Sequence, residues 1–247
     1  MAYEVLAEFY DTFMDDVDYE KWASFIIDIL KKYGKPLSQG STIIDLACGT
    51  GELTCKLGKG LDSSIIAVDI SEEMLMKASE KASSEQINIT FICKDMVKFK
   101  PYMKSDAIIC TCDGINYVPK NKIKALFKNV YESLNDGCVF TFDISSAYKL
   151  KNLLGDNIIA EDRGNIAFIW ENTLSENCVQ IDLSIFKQIK GKQFIKEEEQ
   201  QLQYIYYNEE IIDTLTKAGF KEVHMFEFGS FDQPGSTSER IQFAAIK

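Results

Sequence analysis

Apolar residues recur at helical spacing in Trp22, Phe25, Ile26, Ile29, Leu30 and Tyr33, which predicts an amphipathic helix over residues 19 to 33, stopped by Gly34 and Pro36. Beyond it, short apolar runs alternate with helix-periodic stretches. Strands are expected near 42 to 46, at Ile65 to Val68 and at Ile87 to Cys93, with helices after Gly51 and from Ser71 between them. A further round places a strand at Ala107 to Cys110, a helix carrying Ile123, Leu126, Phe127 and Val130, and a strand at Cys138 to Ile144. Parallel neighbours need long crossovers, so this alternation predicts a parallel, doubly wound α/β sheet.

After Leu154 the period changes. Val179, Ile181, Leu183 and Ile185 alternate with Gln180, Asp182 and Ser184, the signature of a half-buried antiparallel strand. Turn residues at Ser175-Glu176-Asn177 and Lys190-Gly191-Lys192 would join it to strands at Ile166 to Thr173 and Phe194 to Tyr207. The chain therefore divides into residues 1–156, an antiparallel β insertion at 157–207, and a return to the first unit at 208–247. In that return a helix from Asn208 to Lys217, closed by Gly219, precedes strands at Val223 to Phe228 and Arg240 to Ile246. Their short link permits an antiparallel pair.

The 247 residues can bury a large core, and 46% hydrophobic with 26% charged content is that of a folded globule. A net charge of -11 argues against a phosphate-backbone partner, which would want clustered Lys and Arg. The densest cations, Lys120, Lys122, Lys124 and Lys128, alternate with apolar residues as a solvated helix face does. Seven cysteines without paired Cys-x-x-Cys motifs suggest reduced thiols, and Cys110 and Cys112 with one histidine, His224, fall short of a zinc ligand set. No metal is expected. Glu4, Glu8 and Asp11 stand where a signal peptide would be basic and then apolar, and no apolar run reaches membrane length. A cytoplasmic protein without a membrane partner is the expectation.

The candidate chemistry begins at Ile43-Ile44-Asp45-Leu46-Ala47-Cys48-Gly49-Thr50-Gly51, an apolar strand running into a turn with two glycines one residue apart. Glycine permits positive φ and lets a ligand approach closer than any Cβ would, and open α/β sheets bind ligands beyond the carboxyl ends of their strands. Asp69 ends the second strand, eighteen residues past Gly51, where an acid in a βαβ unit accepts hydrogen bonds from ribose hydroxyls. It could also be an exposed strand end, but its place after Ile65-Ile66-Ala67-Val68 and just before the helix start at Ser71 favours the ligand role. Asp95 follows the third strand in Lys94-Asp95-Met96, placed to accept from an adenine amino group while Met96 packs near the ring.

These residues together resemble the class I S-adenosylmethionine-dependent methyltransferases. The resemblance rests on Asp45 to Gly51, on Val68-Asp69-Ile70-Ser71, on Lys94-Asp95-Met96 and on Cys112-Asp113-Gly114-Ile115-Asn116-Tyr117, and it covers residues 40 to 145, with the terminal strand pair suiting that family's reversed hairpin. It implies a Rossmann-like sheet, S-adenosylmethionine as donor and S-adenosylhomocysteine as product. It also implies donor contacts from Asp45, Ala47, Cys48, Gly49, Thr50, Gly51, Asp69, Ile70, Met74, Asp95, Met96 and Cys112. The segment Phe9 to Met14 with Tyr19 and Trp22 resembles the lid of small-molecule members, which puts Tyr10 and Trp22 at the donor and Tyr10 beside its methyl group.

An NAD-binding sheet would share the strand, the turn and the ribose acid, but its third glycine falls on Thr54. Asp45 would also repel a pyrophosphate and attract the ammonium of a methionine moiety. Methyl transfer asks mainly for alignment, so positioning roles are expected for Tyr10, Asp113 and Asn116, with Tyr117 beside them. Neither an Asn-Pro-Pro-Tyr or Asp-Pro-Pro-Tyr base clamp nor a Pro-Cys nucleophile follows the fourth strand, so the acceptor is expected to be a small molecule methylated on nitrogen or oxygen, as by amino-sugar N-methyltransferases, which the insertion resembles. Phe168, Trp170 and Phe186 could roof that acceptor or simply pack the insertion sheet. His224 is a candidate base or a packed strand residue. A noncatalytic domain binding S-adenosylmethionine or its product, and an NAD-dependent oxidoreductase, remain the rivals.

Overall fold

The computed structural model describes residues 6–247, so Glu4 of the acidic N-terminal trio lies outside the described residues. A 3-10 turn at Leu6–Glu8 and a short helix α1 (Tyr10–Phe13) lead into α2 (Tyr19–Tyr33). The Asp18 side chain caps α2 by accepting from the Lys21 amide at 3.0 Å, while Lys31 and Lys32 complement the dipole at its last turn. Trp22, Phe25, Ile26, Ile29 and Leu30 form its buried face.

Seven strands then build the main sheet: β1 (Thr42–Leu46), β2 (Ser64–Asp69), β3 (Ile89–Cys93), β4 (Ser105–Cys110), β5 (Leu134–Ser145), and later β10 (Glu222–Glu227) and β11 (Arg240–Ile246). Between them lie α3 (Glu52–Gly60), α4 (Glu72–Ser84), α5 (Ile123–Ser133) and α6 (Asn208–Ala218). The strand order is β10-β11-β5-β4-β1-β2-β3. The pairs from β3 to β5 are parallel, and β11 runs antiparallel to both β5 and β10. The sheet therefore reverses at β1 and β4, both of which carry loops at their carboxyl ends, the switch point where α/β sheets bind ligands.

The insertion is a separate antiparallel sheet in the order β6-β7-β8-β9: β6 (Ile158–Asp162), β7 (Ile166–Leu174), β8 (Cys178–Lys190) and β9 (Gln193–Tyr204). Val179, Ile181, Leu183 and Ile185 of β8 are buried, as their alternation predicts. Of the boundaries that differ from the expected ones, such as β5 starting at Leu134, three are instructive. β3 begins at Ile89 because Ile87 donates to the carbonyl of Ala82 and closes α4 instead. β9 ends at Tyr204, since Tyr206 turns inward and its hydroxyl donates to the carbonyl of Val118 at 2.7 Å. α5 begins at Ile123, so Lys120 and Lys122 precede it and do not share its solvated face. β6, exposed along its whole length, carries no buried alternation to announce it. Among the described residues no helix is long and apolar enough to cross a membrane.

Candidate active site

The turn after β1 holds Ala47, Gly49 and Gly51 at positive φ (58°, 55° and 73°). A Cβ on Gly51 would sit 2.8 Å from the Ala78 Cβ of α4, so glycine lets α3 start against α4. A Cβ on Gly49 would meet nothing within 4 Å, and Gly49 borders a cleft of about 440 Å³ at the carboxyl ends of β1, β2 and β4.

Three acids at the carboxyl ends of β1, β2 and β3 stand in different states. Asp45, 1% exposed, accepts the Thr54 hydroxyl at 2.6 Å on one oxygen, while its other oxygen is buried without a partner. Burial pushes its carboxyl up to about 7 against the help of that hydroxyl. Thr54 thus stands where a dinucleotide site wants glycine, and it serves Asp45. Asp69 accepts from the Gly49 amide at 2.8 Å and the Ser71 amide at 2.9 Å, which fixes the carboxylate at the cleft with lone pairs remaining on each oxygen. Burial raises its pKa and these amides oppose the rise. Asp95 accepts from the Val97 amide at 2.9 Å, and Met96, Val97, Ile70 and Met74 supply apolar lining.

Of the residues singled out from the sequence, Tyr10, Ala47, Gly49, Asp69, Ile70, Met74, Asp95, Met96, Cys112 and Tyr117 line this cleft. Asp45, Cys48, Thr50, Gly51 and Trp22 do not. Thr50 is 2% exposed and gives its hydroxyl to Asp11 at 2.5 Å. Trp22 is packed edge-on against Phe228 at 4.8 Å with the Arg240 guanidinium over its ring, so it belongs to the core beneath α2. Cys112 and Asp113 both take left-handed backbone, at φ 53° and 49°, a strained pair at the end of β4.

The two polar positioning candidates face elsewhere. Asn116 is fully buried; its amide nitrogen donates to the carbonyls of Ser145 and Tyr204, and its oxygen accepts from the Ser145 amide at 3.0 Å. It staples β5 to the end of β9 and has no group left for a ligand. Asp113 pairs with Arg240 at 2.8 Å and accepts from Gln203 at 2.7 Å, while Arg240 also binds Asp143. Burial raises the Asp143 carboxyl despite that guanidinium. His224 lies on β10 against Tyr33, with ring centroids 4.6 Å apart, away from the cleft. Phe168 packs on Phe13 at 4.7 Å in a core that the insertion shares with Leu6 and Phe9 of the N-terminal segment, and neither Trp170 nor Phe186 lines the cleft.

The rest of the cleft is lined instead by Gln200, Gln201, Leu202 and Tyr204 of β9, with Tyr117, Pro119 and Lys122 beside them. Gln203 donates to the Tyr117 hydroxyl at 2.9 Å, and that hydroxyl is 3.3 Å from the Gln201 oxygen. Tyr117 is expected here; the β9 residues were missed because their signal is a run of glutamines on an edge strand, which reads as a solvated face. Lys122 escaped for the same reason.

A family model described as a methyltransferase domain matches residues 43–137, which contain the turn and all three acids. A protein of Geobacillus sp. (strain WCH70) named "Putative methyltransferase" is 32% identical over the full length of both chains. A crystal structure of an S-adenosylmethionine-dependent methyltransferase from Clostridium acetobutylicum ATCC 824 superposes with a TM-score of 0.86 at 31% identity, covering 99% of this chain and 98% of that one. The chain is a class I S-adenosylmethionine-dependent methyltransferase. Its donor is S-adenosylmethionine and its product S-adenosylhomocysteine. The methyltransferase also shares its fold, at 14% identity and a TM-score of 0.76 over 100% of this chain and 98% of the other, with the amino pentose methyltransferase CalS10 from Micromonospora echinaspora, solved with S-adenosylmethionine bound.

Proposed function

We propose that this methyltransferase moves a methyl group to a nitrogen or oxygen of a small metabolite held between the donor turn and β9. The observation that carries the reading is a single cleft lined on one side by Gly49, Asp69 and Asp95 and on the other by Gln201 and Tyr204 of the insertion. When bound, the sulfonium supplies an already activated methyl group, so the protein's task is alignment and exclusion of water.

The residues present suit that donor. The unpartnered buried oxygen of Asp45 awaits a cation such as the methionine ammonium, and the open space at Gly49 leaves room for the chain that carries it. Asp69, held by two amides, can accept both ribose hydroxyls, while Asp95 can accept the adenine amino group with Ile70, Met96 and Val97 around the ring. Tyr10 keeps its proton because burial raises its pKa well above the usual phenol value, so it borders the methyl site as a hydrogen-bond donor and apolar wall. Burial likewise holds the Cys112 thiol neutral, which spares it from becoming a competing nucleophile beside a methylating agent.

A small acceptor agrees with the net charge of -11 and with the polar β9 wall, which offers amide and phenol groups and no basic track for a nucleic acid. The cytoplasm is the compartment we infer, on seven free cysteines. In the proposed division of labour residues 157–207 form the acceptor cap on a donor domain of 1–156 and 208–247. The test is formation of S-adenosylhomocysteine on incubation with S-adenosylmethionine and a panel of small amines and alcohols. Turnover with at least one acceptor is expected. Donor binding without turnover on any acceptor would favour a noncatalytic binding domain, and stabilisation by NAD in place of S-adenosylhomocysteine would favour an oxidoreductase.

A further inference from the structure

The stretch from Leu6 to Asp15 touches both halves of the cleft, and one carboxylate joins it to the donor half. Asp11 accepts the Thr50 hydroxyl at 2.5 Å, inside the turn Gly49-Thr50-Gly51, and on its other oxygen takes the Lys81 ammonium at 3.0 Å. Lys81, on α4, is held in turn by Glu52 of α3 at 2.6 Å. Asp11 therefore bonds the turn and α4 directly, and α3 only through Lys81. The neighbouring Tyr10 is the residue of this stretch that lines the cleft.

On its other side the stretch is bound to the insertion. The Leu6 amide donates to Glu199 at 3.1 Å, Glu8 pairs with Lys187, and Arg163 from the β6–β7 turn reaches the Thr12 carbonyl and, at 3.1 Å, Asp15. Phe13 stacks edge-on against Phe168. All five of these contacts go to the insertion, whereas Asp11 carries the polar link to the donor turn.

We propose that Asp11 is a positioning residue of the methyl-transfer reaction: by bonding Thr50 and Lys81 it holds Tyr10 over the donor and couples the donor turn to the acceptor cap. It acts through Tyr10 and touches no reacting atom. This rests on the donor-site reading above, since only a donor in that cleft would sense the latch. A donor under a latched α1 leaves slowly, and cutting the latch frees it without disturbing the core, because Asp11 is itself half-exposed.

The test uses the full-length protein, S-adenosylhomocysteine as the probe, and the variants Asp11→Ala, Asp11→Asn and Thr50→Val. Stopped-flow displacement should show dissociation about tenfold faster for Asp11→Ala, with Asp11→Asn between it and the parent protein because the amide oxygen still accepts from Thr50. Asp11→Ala and Thr50→Val combined should be little worse than either alone, as expected of two ends of one bond. Melting temperatures without ligand should stay within about 3 °C of the parent, while the rise on adding S-adenosylhomocysteine shrinks. A purely structural role would lower the unliganded melting temperature and leave dissociation unchanged, which overturns the proposal. So does unchanged dissociation in Thr50→Val, should the Asp11 variants fail to fold. If the parent protein does not bind S-adenosylhomocysteine, the donor-site reading itself falls, a result distinct from normal binding that ignores these substitutions.

Discussion

The two walls of the cleft are built on opposite plans. The wall we assign to the donor is made of backbone: a left-handed turn at Ala47, Gly49 and Gly51 leaves space at Gly49, Asp69 lines it with hydrogen-bonding capacity in reserve, and Asp45, buried outside the lining, keeps an unpartnered oxygen. The β9 wall is made of long amides bonded to acids and a phenol around them, as Gln203 is to Asp113 and Tyr117 and Gln201 to Glu199 at 2.6 Å, although the Gln203 oxygen is also buried without a partner. A wall that leaves a buried oxygen unpartnered gains when one particular ligand supplies the missing bond. A wall of long side chains can exchange one hydrogen bond for another by changing rotamer, which suits tolerance in the acceptor. Rigidity on the donor side and adaptability on the other follow from that difference.

Substitutions on the donor wall should therefore act hardest. Asp69→Ala removes the acceptor held by Gly49 and Ser71, and calorimetry should show affinity for S-adenosylhomocysteine reduced about a hundredfold. A loss of less than about threefold would erase the contrast between the walls. Next in size is Asn116→Ala, which strands the Ser145 amide and two carbonyls in the core. Urea unfolding should register a loss of about 2–3 kcal/mol, with donor affinity changed only a few-fold, because Asn116 joins the two sheets and does not face the cleft.

A smaller effect comes from Asp45. Its folded carboxyl titrates near 7 against 3.8 for the ordinary group, so the native state holds an extra proton between those values and the unliganded protein loses stability as pH rises from about 4 to about 7. A ligand ammonium favours the charged carboxylate, which gives donor binding the opposite slope. Affinity for S-adenosylhomocysteine should weaken about tenfold from pH 8 to pH 5.5, and Asp45→Asn should flatten that dependence. An equally steep profile in the variant would assign the titration to another group. Smallest of all, Gln201→Ala should raise the acceptor KM a few-fold and leave donor affinity alone, as measured by initial rates beside calorimetry.

The donor wall was legible in the sequence because its physics is local. Glycine spacing and an acid at a strand exit are short-range patterns with few alternative meanings, and the strand alternation placed them at the sheet's switch point. Thr54 shows the edge of that legibility: its departure from a dinucleotide pattern was visible, but its bond to Asp45 appears only once α3 winds back over β1. The β9 wall was not legible, since Gln200, Gln201 and Gln203 look like an exposed strand until the insertion folds across β4. Asp113 and Asn116 sit beside the cleft in sequence, yet Arg240, Ser145 and Tyr204, all distant in the chain, claim their polar groups. Trp22 failed likewise, because its periodicity places it on the buried face of α2 and says nothing of what that face covers. Local signals name a binding turn; which polar groups remain available is decided by long-range partners.

The structure of the complex with S-adenosylhomocysteine tests the central claim most directly. The account predicts the ribose hydroxyls on Asp69, the ammonium directed to the free oxygen of Asp45, and the sulfur beside Tyr10 with open space between it and Gln201 and Tyr204 of β9. A ligand bound elsewhere, or one whose sulfur points away from β9, would contradict it.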